Sequence, residues 1–274
     1  LIAASCLSLG LKRIGFEERH LPYAEYKKIE GLLKNKTSLI PTHNLVEQFR
    51  RIKEAQELSK IKQAVRITTA AFRFMEKFIS HGRKEIEVVA ELQRFIRYEG
   101  ASNSSFDIIV ASGPNSSFPH HISSERRLKK NEPVMIDMGV EYLGYKCDLT
   151  RVFFLDKISV LNQKVYDIVL GAQIEAIKQI KPGRKVAEID AAGRQYISKK
   201  GYGRFFGHSL GHGIGLEVHE EPHISAKEES RLKPGEVFTV EPAIYLPGKF
   251  GIRIEDMVLV TEKGCEVLSG SLNK

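Results

Sequence analysis

The chain is expected to adopt an α+β fold: a helix–helix–strand unit occurring twice about a pseudo-twofold axis, its antiparallel sheet flanked by helices. Three observations lead there. The segments Leu128-Lys-Lys-Asn-Glu-Pro-Val-Met-Ile-Asp137 and Leu232-Lys-Pro-Gly-Glu-Val-Phe-Thr-Val-Glu241 align without a gap, with Leu, Lys and Glu in one register, then an apolar run, then a carboxylate. Each is followed by a second acid in similar surroundings, Asp148 in Lys146-Cys-Asp-Leu-Thr-Arg-Val152 and Glu255 in Arg253-Ile-Glu-Asp-Met-Val258. Finally, the order of helices followed by carboxylate-bearing strands repeats, which indicates internal duplication.

Element by element, residues 1–9 read as a helix closed by Gly10, followed by a strand at 11–16 and a helix at 24–33. A long amphipathic helix carries Leu58, Ile61, Val65, Ala71, Phe72, Met75 and Ile79 at mostly three- and four-residue steps, with His81-Gly82 as its expected C-terminal stop. The first copy then has a helix at 85–98, a strand at 106–111, a loop rich in Ser, Pro and Gly, and a hairpin from 134 to 155. The second has helices at 163–180 and 187–199, separated by Lys181-Pro-Gly183, then a Gly/His segment and the strands around Glu241 and Glu255. Residues 1–50 are expected to be a remnant or the C-terminal part of an N-terminal domain with its linker, and residues 51–274 the catalytic domain.

Composition narrows the classes. With 274 residues, 42% hydrophobic and 28% charged, the chain is long enough for a sizeable core and has the balance of a soluble globular protein. The net charge of +8 comes from Lys and Arg scattered among acids, as in Arg50-Arg-Ile-Lys-Glu54, so solvated faces are favoured over a nucleic-acid surface. The opening apolar run is too short to span a membrane. Cys6, Cys147 and Cys265 form no CxxC pair, which gives neither a disulfide framework nor a structural zinc site and suggests a reducing, cytoplasmic location.

Charged carboxylates on apolar strands are costly to bury unless a cation meets them. Asp137 and Asp148 lie on either side of Gly139-Val-Glu-Tyr-Leu-Gly144, and a hairpin there would bring them together on one face. Glu241 and Glu255 bracket Pro247-Gly-Lys249 in the same way. The segment Gly207-His-Ser-Leu-Gly-His-Gly-Ile-Gly-Leu-Glu-Val-His219 supplies imidazoles on a backbone that glycines allow to come close. Taken singly, each acid would be read as a salt-bridge partner. Together they point to a metal centre, and four carboxylates carry too much charge for one divalent ion, so two ions are expected. Oxygen-rich, one-histidine coordination suits Mn²⁺ best, with Co²⁺, Fe²⁺ and Zn²⁺ also compatible.

The segments Ile136-Asp-Met-Gly139, Gly144-Tyr-Lys-Cys-Asp-Leu-Thr-Arg151, Gly211-His-Gly-Ile-Gly-Leu-Glu-Val-His-Glu-Glu-Pro222, Val240-Glu-Pro242 and Arg253-Ile-Glu-Asp256 resemble the dinuclear metallopeptidases of the pita-bread fold: aminopeptidase P, prolidase, methionine aminopeptidase and the creatinases. The resemblance runs from about residue 51 to the end. It implies that Asp137 chelates one metal, that Asp148 and Glu255 bridge the two, and that His212 and Glu241 complete the other. It also implies that His120 and His219 bind the substrate carbonyl and stabilise the tetrahedral intermediate, with Glu241 helping to activate a metal-bridging hydroxide. His208 and Arg253 are supporting residues that line the pocket and orient the metal-bound carboxylates. His20, His43, His81, His121 and His223 are expected to be ordinary loop or surface residues. Two positions depart from the family pattern: Cys147, where Ser or Thr is commoner, and Ala243, where Gly is common. If Cys147 is exposed, the site would be sensitive to oxidation.

Five intact ligand positions argue against a creatinase. Residues 11–60 resemble the end of the N-terminal domain and linker of aminopeptidase P and prolidase, which methionine aminopeptidases usually lack. The expected substrates are therefore short peptides with proline at the second position, or Xaa-Pro dipeptides, and a homodimer or higher homo-oligomer is expected. Proline lacks an amide hydrogen and fixes φ, so such bonds call for a dedicated pocket. The alternatives are removal of an N-terminal residue in the manner of methionine aminopeptidase, and a non-catalytic metal-binding module of the same fold.

Overall fold

The computed structural model describes residues 1–274, which divide into two compact units, Leu1–Arg50 and Arg51–Lys274. The first contains α1 (Ile2–Ser8), β1 (Arg13–Glu17), α2 (Tyr23–Leu33), β2 (Ser38–Thr42) and α3 (Leu45–Arg50). β1 and β2 pair in parallel from Arg13↔Ser38 to Glu17↔Thr42. Ala3, Cys6 and Leu33 are buried against Ile14, Ile29 and Leu39 to make a small core. The sequence reading missed β2 and α3. Pro41 masks the strand, and it is tolerated because a two-stranded sheet has only edge strands.

The second unit opens with α4 (Ala55–Phe78) and α5 (Glu85–Tyr98). Each helix starts with a carboxylate reaching back to a free backbone N–H: Glu54 N donates to Glu57 at 2.8 Å and Lys84 N to Glu87 at 2.9 Å. α4 does not run to Gly82. It stops at Phe78 because Ile79 turns extended to bury its side chain, and Gly82, at φ +91°, serves the next turn.

Short β3 (Asn103–Ser104) and β4 (Ile109–Ser112) precede the long hairpin β5 (Pro133–Met138), β6 (Val140–Tyr142), β7 (Tyr145–Lys146) and β8 (Leu149–Phe154). Its tip is the two-residue turn Leu143-Gly144, both at positive φ, the form that matches strand twist. At the Gly139 position a Cβ would stand 1.6 Å from the Cys147 carbonyl oxygen, so only glycine lets the hairpin close beside Asp137. After α6 (Val160–Ile177) and α7 (Val186–Lys199) come β9 (Gly211–Gly213), β10 (Glu220–Ile224), β11 (Val237–Val240), β12 (Ala243–Leu246), β13 (Phe250–Arg253), β14 (Asp256–Val260) and β15 (Cys265–Val267).

The duplication is visible in matching hydrogen bonds. Gly82 N donates to Leu128 O at 2.9 Å and Leu128 N returns to Arg83 O at 2.8 Å; Gly183 donates to Leu232 O at 2.8 Å and Leu232 returns to Arg184 O at 2.9 Å. Asn131 and Gly235 occupy the same turn position with φ of +62° and +88°, and donate to Leu155 O and Val260 O. The sheet order β4-β5-β8 in the first copy has its counterpart in β9-β11-β14. Each copy has its own apolar core: α4 and α5 contribute Ile61, Phe72 and Leu92 to one, α6 and α7 contribute Val165, Val169 and Ile189 to the other.

Candidate metal centre and substrate cavity

Register places the acids. In β5–β8 Asp137 faces Thr150, so Asp148, two residues from Thr150, shares its face. In β11–β14 the last pair is Val240↔Asp256, and Glu241 and Glu255 are the next residues beyond it. His212 lies in β9, which approaches β11 closely enough that a Cβ at Gly211 would sit 1.9 Å from Thr239 O.

Ligand atoms of Asp148, His212 and Glu255 all lie within 4.8 Å of one another. His212 Nε2 is 3.6 Å from Asp148 Oδ2 and 3.5 Å from Glu241 Oε1. Its Nδ1 lies 3.0 Å from the Gly213 carbonyl, which can only accept, so Nδ1 carries a proton and Nε2 is the nitrogen turned to the acids. Asp137 joins through Arg253, whose Nη2 donates to its Oδ2 at 2.5 Å.

A divalent cation fits this donor set. Asp137 Oδ1, Asp148 Oδ1 and Glu255 Oε1 are buried without any hydrogen-bond partner, an arrangement that costs free energy unless a cation meets it. Burial, and then the neighbouring carboxylates, raise the Asp148 and Glu255 carboxyls well above their usual range. All donors are oxygen or imidazole nitrogen, as harder divalent ions prefer.

A hydrogen-bonded frame orients the acids. Thr150 Oγ1 donates to Glu255 Oε2 at 2.7 Å, and Thr239 Oγ1 lies 3.2 Å from Glu241 Oε1. Arg253 is buried and uses every arm: Nε to Thr150 Oγ1 at 3.1 Å, Nη1 to the Tyr245 hydroxyl at 2.5 Å and to Pro119 O at 3.3 Å, Nη2 to Asp137. Behind Glu255, Arg151 donates to the Glu255 carbonyl and, at 2.7 Å, to Asp256.

The acids form one wall of a cavity of about 730 Å³. His120 and His219 are exposed in its lining, and His219 stacks edge-on against His212 with ring centroids 4.3 Å apart. His208 also lines it, donating from Nδ1 to Ser209 O at 2.7 Å and accepting from Tyr245 at Nε2 over 3.3 Å. Burial pulls the His208 imidazole below its usual value and keeps it neutral. Ile86, Val89, Phe106, Ile108 and Ile109 give the cavity an apolar side. All nine residues expected at the site therefore fall in or on this cavity: Asp137, Asp148, His212, Glu241, Glu255, His120, His219, His208 and Arg253.

Two expectations need correction. His121 and His223, read as ordinary loop residues, both line the cavity, and His121 is bonded to buried Glu85 at 2.9 Å. Cys147 is buried, held by Thr68 Oγ1 at 3.0 Å and the Val140 N–H at 3.2 Å, and burial pushes its thiol up to about 12, so it is not the oxidation-sensitive position considered above. Thr150, Thr239 and Tyr245 were missed. The two threonines sit two residues from Asp148 and Glu241, the strand period that puts them on the same face.

The raised carboxyls have a consequence for stability. A group that binds its proton more tightly when folded contributes stability that is complete below the unfolded carboxylate value of about 4 and is lost as pH rises toward the folded value. Chelator-stripped protein is expected to weaken as pH rises above that unfolded value, while bound metal opposes the loss. Glu85 and Asp256, whose carboxyls are lowered, lose their contribution only at more acid pH. Calorimetry should show the melting-temperature gap between loaded and stripped protein widening with pH; a constant gap contradicts the account.

A buried acid cluster with an imidazole aimed at it, opening on a cavity, defines a metal-dependent hydrolase. The chain belongs to metallopeptidase family M24, whose profile matches residues 59–262, and residues 1–52 match the creatinase/prolidase N-terminal domain. It is 38% identical over 263 residues to an Xaa-Pro dipeptidase of Pyrococcus horikoshii, covering 95% of this chain and 74% of that one. The solved Xaa-Pro dipeptidase from Bacillus anthracis superposes with a TM-score of 0.97 at 43% identity, covering 100% of this chain and 76% of that one. An X-Pro aminopeptidase from Thermotoga maritima gives 0.92 at 42% identity, covering 98% and 76%. The fold is the pita-bread α+β fold of these metallopeptidases.

Proposed function

We propose that this protein is a metallo-exopeptidase that hydrolyses the Xaa-Pro bond at the amino end of short peptides or in dipeptides. The observation that carries the reading is the set of partnerless buried carboxylate oxygens on Asp137, Asp148 and Glu255, the last two acids clustered with His212, at the wall of a peptide-sized cavity. Asp137, Asp148, His212, Glu241 and Glu255 would hold two divalent ions, Mn²⁺ by preference for an oxygen-rich donor set. Such ions supply Lewis acidity and bring the pKa of water toward neutrality.

The protein's own groups do the rest. His120 and His219 donate hydrogen bonds to the scissile carbonyl oxygen as negative charge develops on it. Glu241, held at Oε1 by Thr239, accepts the proton of the attacking water at its other oxygen. Arg253 and Thr150 keep Asp137 and Glu255 from turning away. His208, neutral and pinned between Ser209 and Tyr245, shapes the wall. In this reading residues 51–274 form the catalytic domain, residues 1–50 belong to the C-terminal part of an N-terminal domain, and the protein works in the cytoplasm as a homodimer or higher homo-oligomer.

The test is hydrolysis of an Xaa-Pro dipeptide, an Xaa-Pro-Xaa tripeptide and a Met-Ala peptide by stripped protein before and after adding Mn²⁺, Co²⁺ or Zn²⁺. Metal-dependent release of the residue before proline is expected. Preference for Met-Ala would move the assignment to N-terminal methionine removal, and silence with metal bound would overturn the enzyme reading. His120→Ala should keep its metal and lose roughly 10²–10³-fold in kcat. Loss of metal in that variant would show that His120 is a ligand instead.

A further inference from the structure

We infer that His121, held by the buried carboxylate of Glu85, is a substrate-binding residue that takes the free carboxylate at the proline end of an Xaa-Pro dipeptide. This rests on the Xaa-Pro reading above.

The argument begins with charge. Four acids occupy one wall of the cavity, and Arg253 is the one Lys or Arg side chain that lines it. Each of its three nitrogens already donates, to Thr150, Tyr245 and Pro119 O, or Asp137, and four of its five N–H groups are used. A leaving group that ends in a carboxylate is therefore left to the histidines of the lining for a hydrogen-bond donor. His212 faces the acids, and His208 is kept neutral by burial and bonded at both nitrogens. Burial and the neighbouring His212 lower His219. His223 is largely exposed, with only Glu221 at 3.9 Å, and His120 has no carboxylate partner.

His121 differs. Its side chain is 14% exposed, its ring lines the cavity, and its Nε2 lies 2.9 Å from Glu85 Oε2. Glu85 is fully buried at the first turn of α5 and accepts from Ser112 N and Oγ, Asn115 Nδ2, and Ser124 N and Oγ. Burial alone would push its carboxyl up, but hydrogen bonds from His121, Ser112 and Ser124 outweigh that and hold it below its usual range, hence ionised. A buried carboxylate bonded to one imidazole nitrogen fixes the orientation of the ring. The Nδ1 on the other side has no protein partner and is available to a ligand in the cavity. The same carboxylate ties down both ends of the 112–124 loop, which carries His120, so the His121 ring is rigidly placed.

The experiment compares metal-loaded wild type and His121→Ala on an Xaa-Pro dipeptide and on its C-terminal amide. The loss in kcat/KM is expected to be at least about tenfold larger for the acid than for the amide, and to appear mainly in KM. Equal losses on both substrates, or none, overturn the inference. Calorimetric titration with proline and prolinamide needs no turnover. Wild type should favour proline by about tenfold and the variant should not; equal binding of the two by wild type overturns the inference. If wild type cleaves no Xaa-Pro peptide, the activity reading fails, and the titration still decides the role of His121.

Discussion

Asp148→Ala and Glu255→Ala are each expected to abolish turnover, lowering kcat/KM by on the order of 10³-fold or more. That exceeds the 10–100-fold typical of losing a residue behind a metal ligand. Ligand atoms of these two acids and of His212 all lie within 4.8 Å of one another, and each acid has a buried oxygen with no partner in the protein. The sharper expectation concerns Glu255→Gln in stripped protein. Burial and the Asp148 charge already work against the Glu255 carboxylate, so removing its charge while keeping its shape should raise the melting temperature as it removes activity. The gain should be about 2–4 °C for each kcal/mol of repulsion relieved. Stripped and loaded samples of both proteins, followed by calorimetry near pH 8 and by Xaa-Pro hydrolysis, check this. Near-normal turnover, or a stripped variant less stable than stripped wild type, would refute the proposed centre.

This opposition between stability and activity explains why the metal site could be read from sequence. A fold has no structural reason to bury Asp137, Asp148 and Glu255, with Glu241 partly buried beside them, in or at the ends of apolar strands. Their duplicated register, Asp137 with Glu241 and Asp148 with Glu255, is the trace of a functional demand. Arg253, which ends β13 two residues before Glu255, came from the family resemblance and not from that register. Neither reached Thr150 and Thr239, although their two-residue spacing from Asp148 and Glu241 was available.

His121 was beyond such reasoning. Its partner Glu85 is 36 positions away at a helix start, and only the folded loop brings them to 2.9 Å. The end of α4 shows the same limit. Gly82 looks like a helix stop, but burial of Ile79 ends the helix earlier and leaves the glycine to the turn that pairs with Leu128. In the first unit, β2 forms from a proline-containing segment whose only strong signal is its tertiary partner β1.

Arg253→Met carries the second large effect, and its size should depend on metal. The guanidinium is 3% exposed and supports Asp137, Thr150, Tyr245 and the Pro119 carbonyl. Removing one partner from a buried ion pair typically costs about 3–5 kcal/mol, because the remaining charge is left uncompensated. Here Asp137 would lose its one protein cation while Asp148, Glu241 and Glu255 remain beside it. In stripped protein the melting temperature should fall by on the order of 10 °C. In loaded protein the fall should be smaller, since a bound ion supplies the missing positive charge to Asp137. Activity should drop roughly 10–100-fold even with metal present, because the loop bearing His120 loses its bond at Pro119 and Asp137 loses its orientation. Thermal unfolding with and without metal, together with metal content and kcat on an Xaa-Pro peptide, separates these effects. An equal fall in both states would mean that Arg253 serves packing alone, and an unchanged kcat would remove it from the frame that holds the acids.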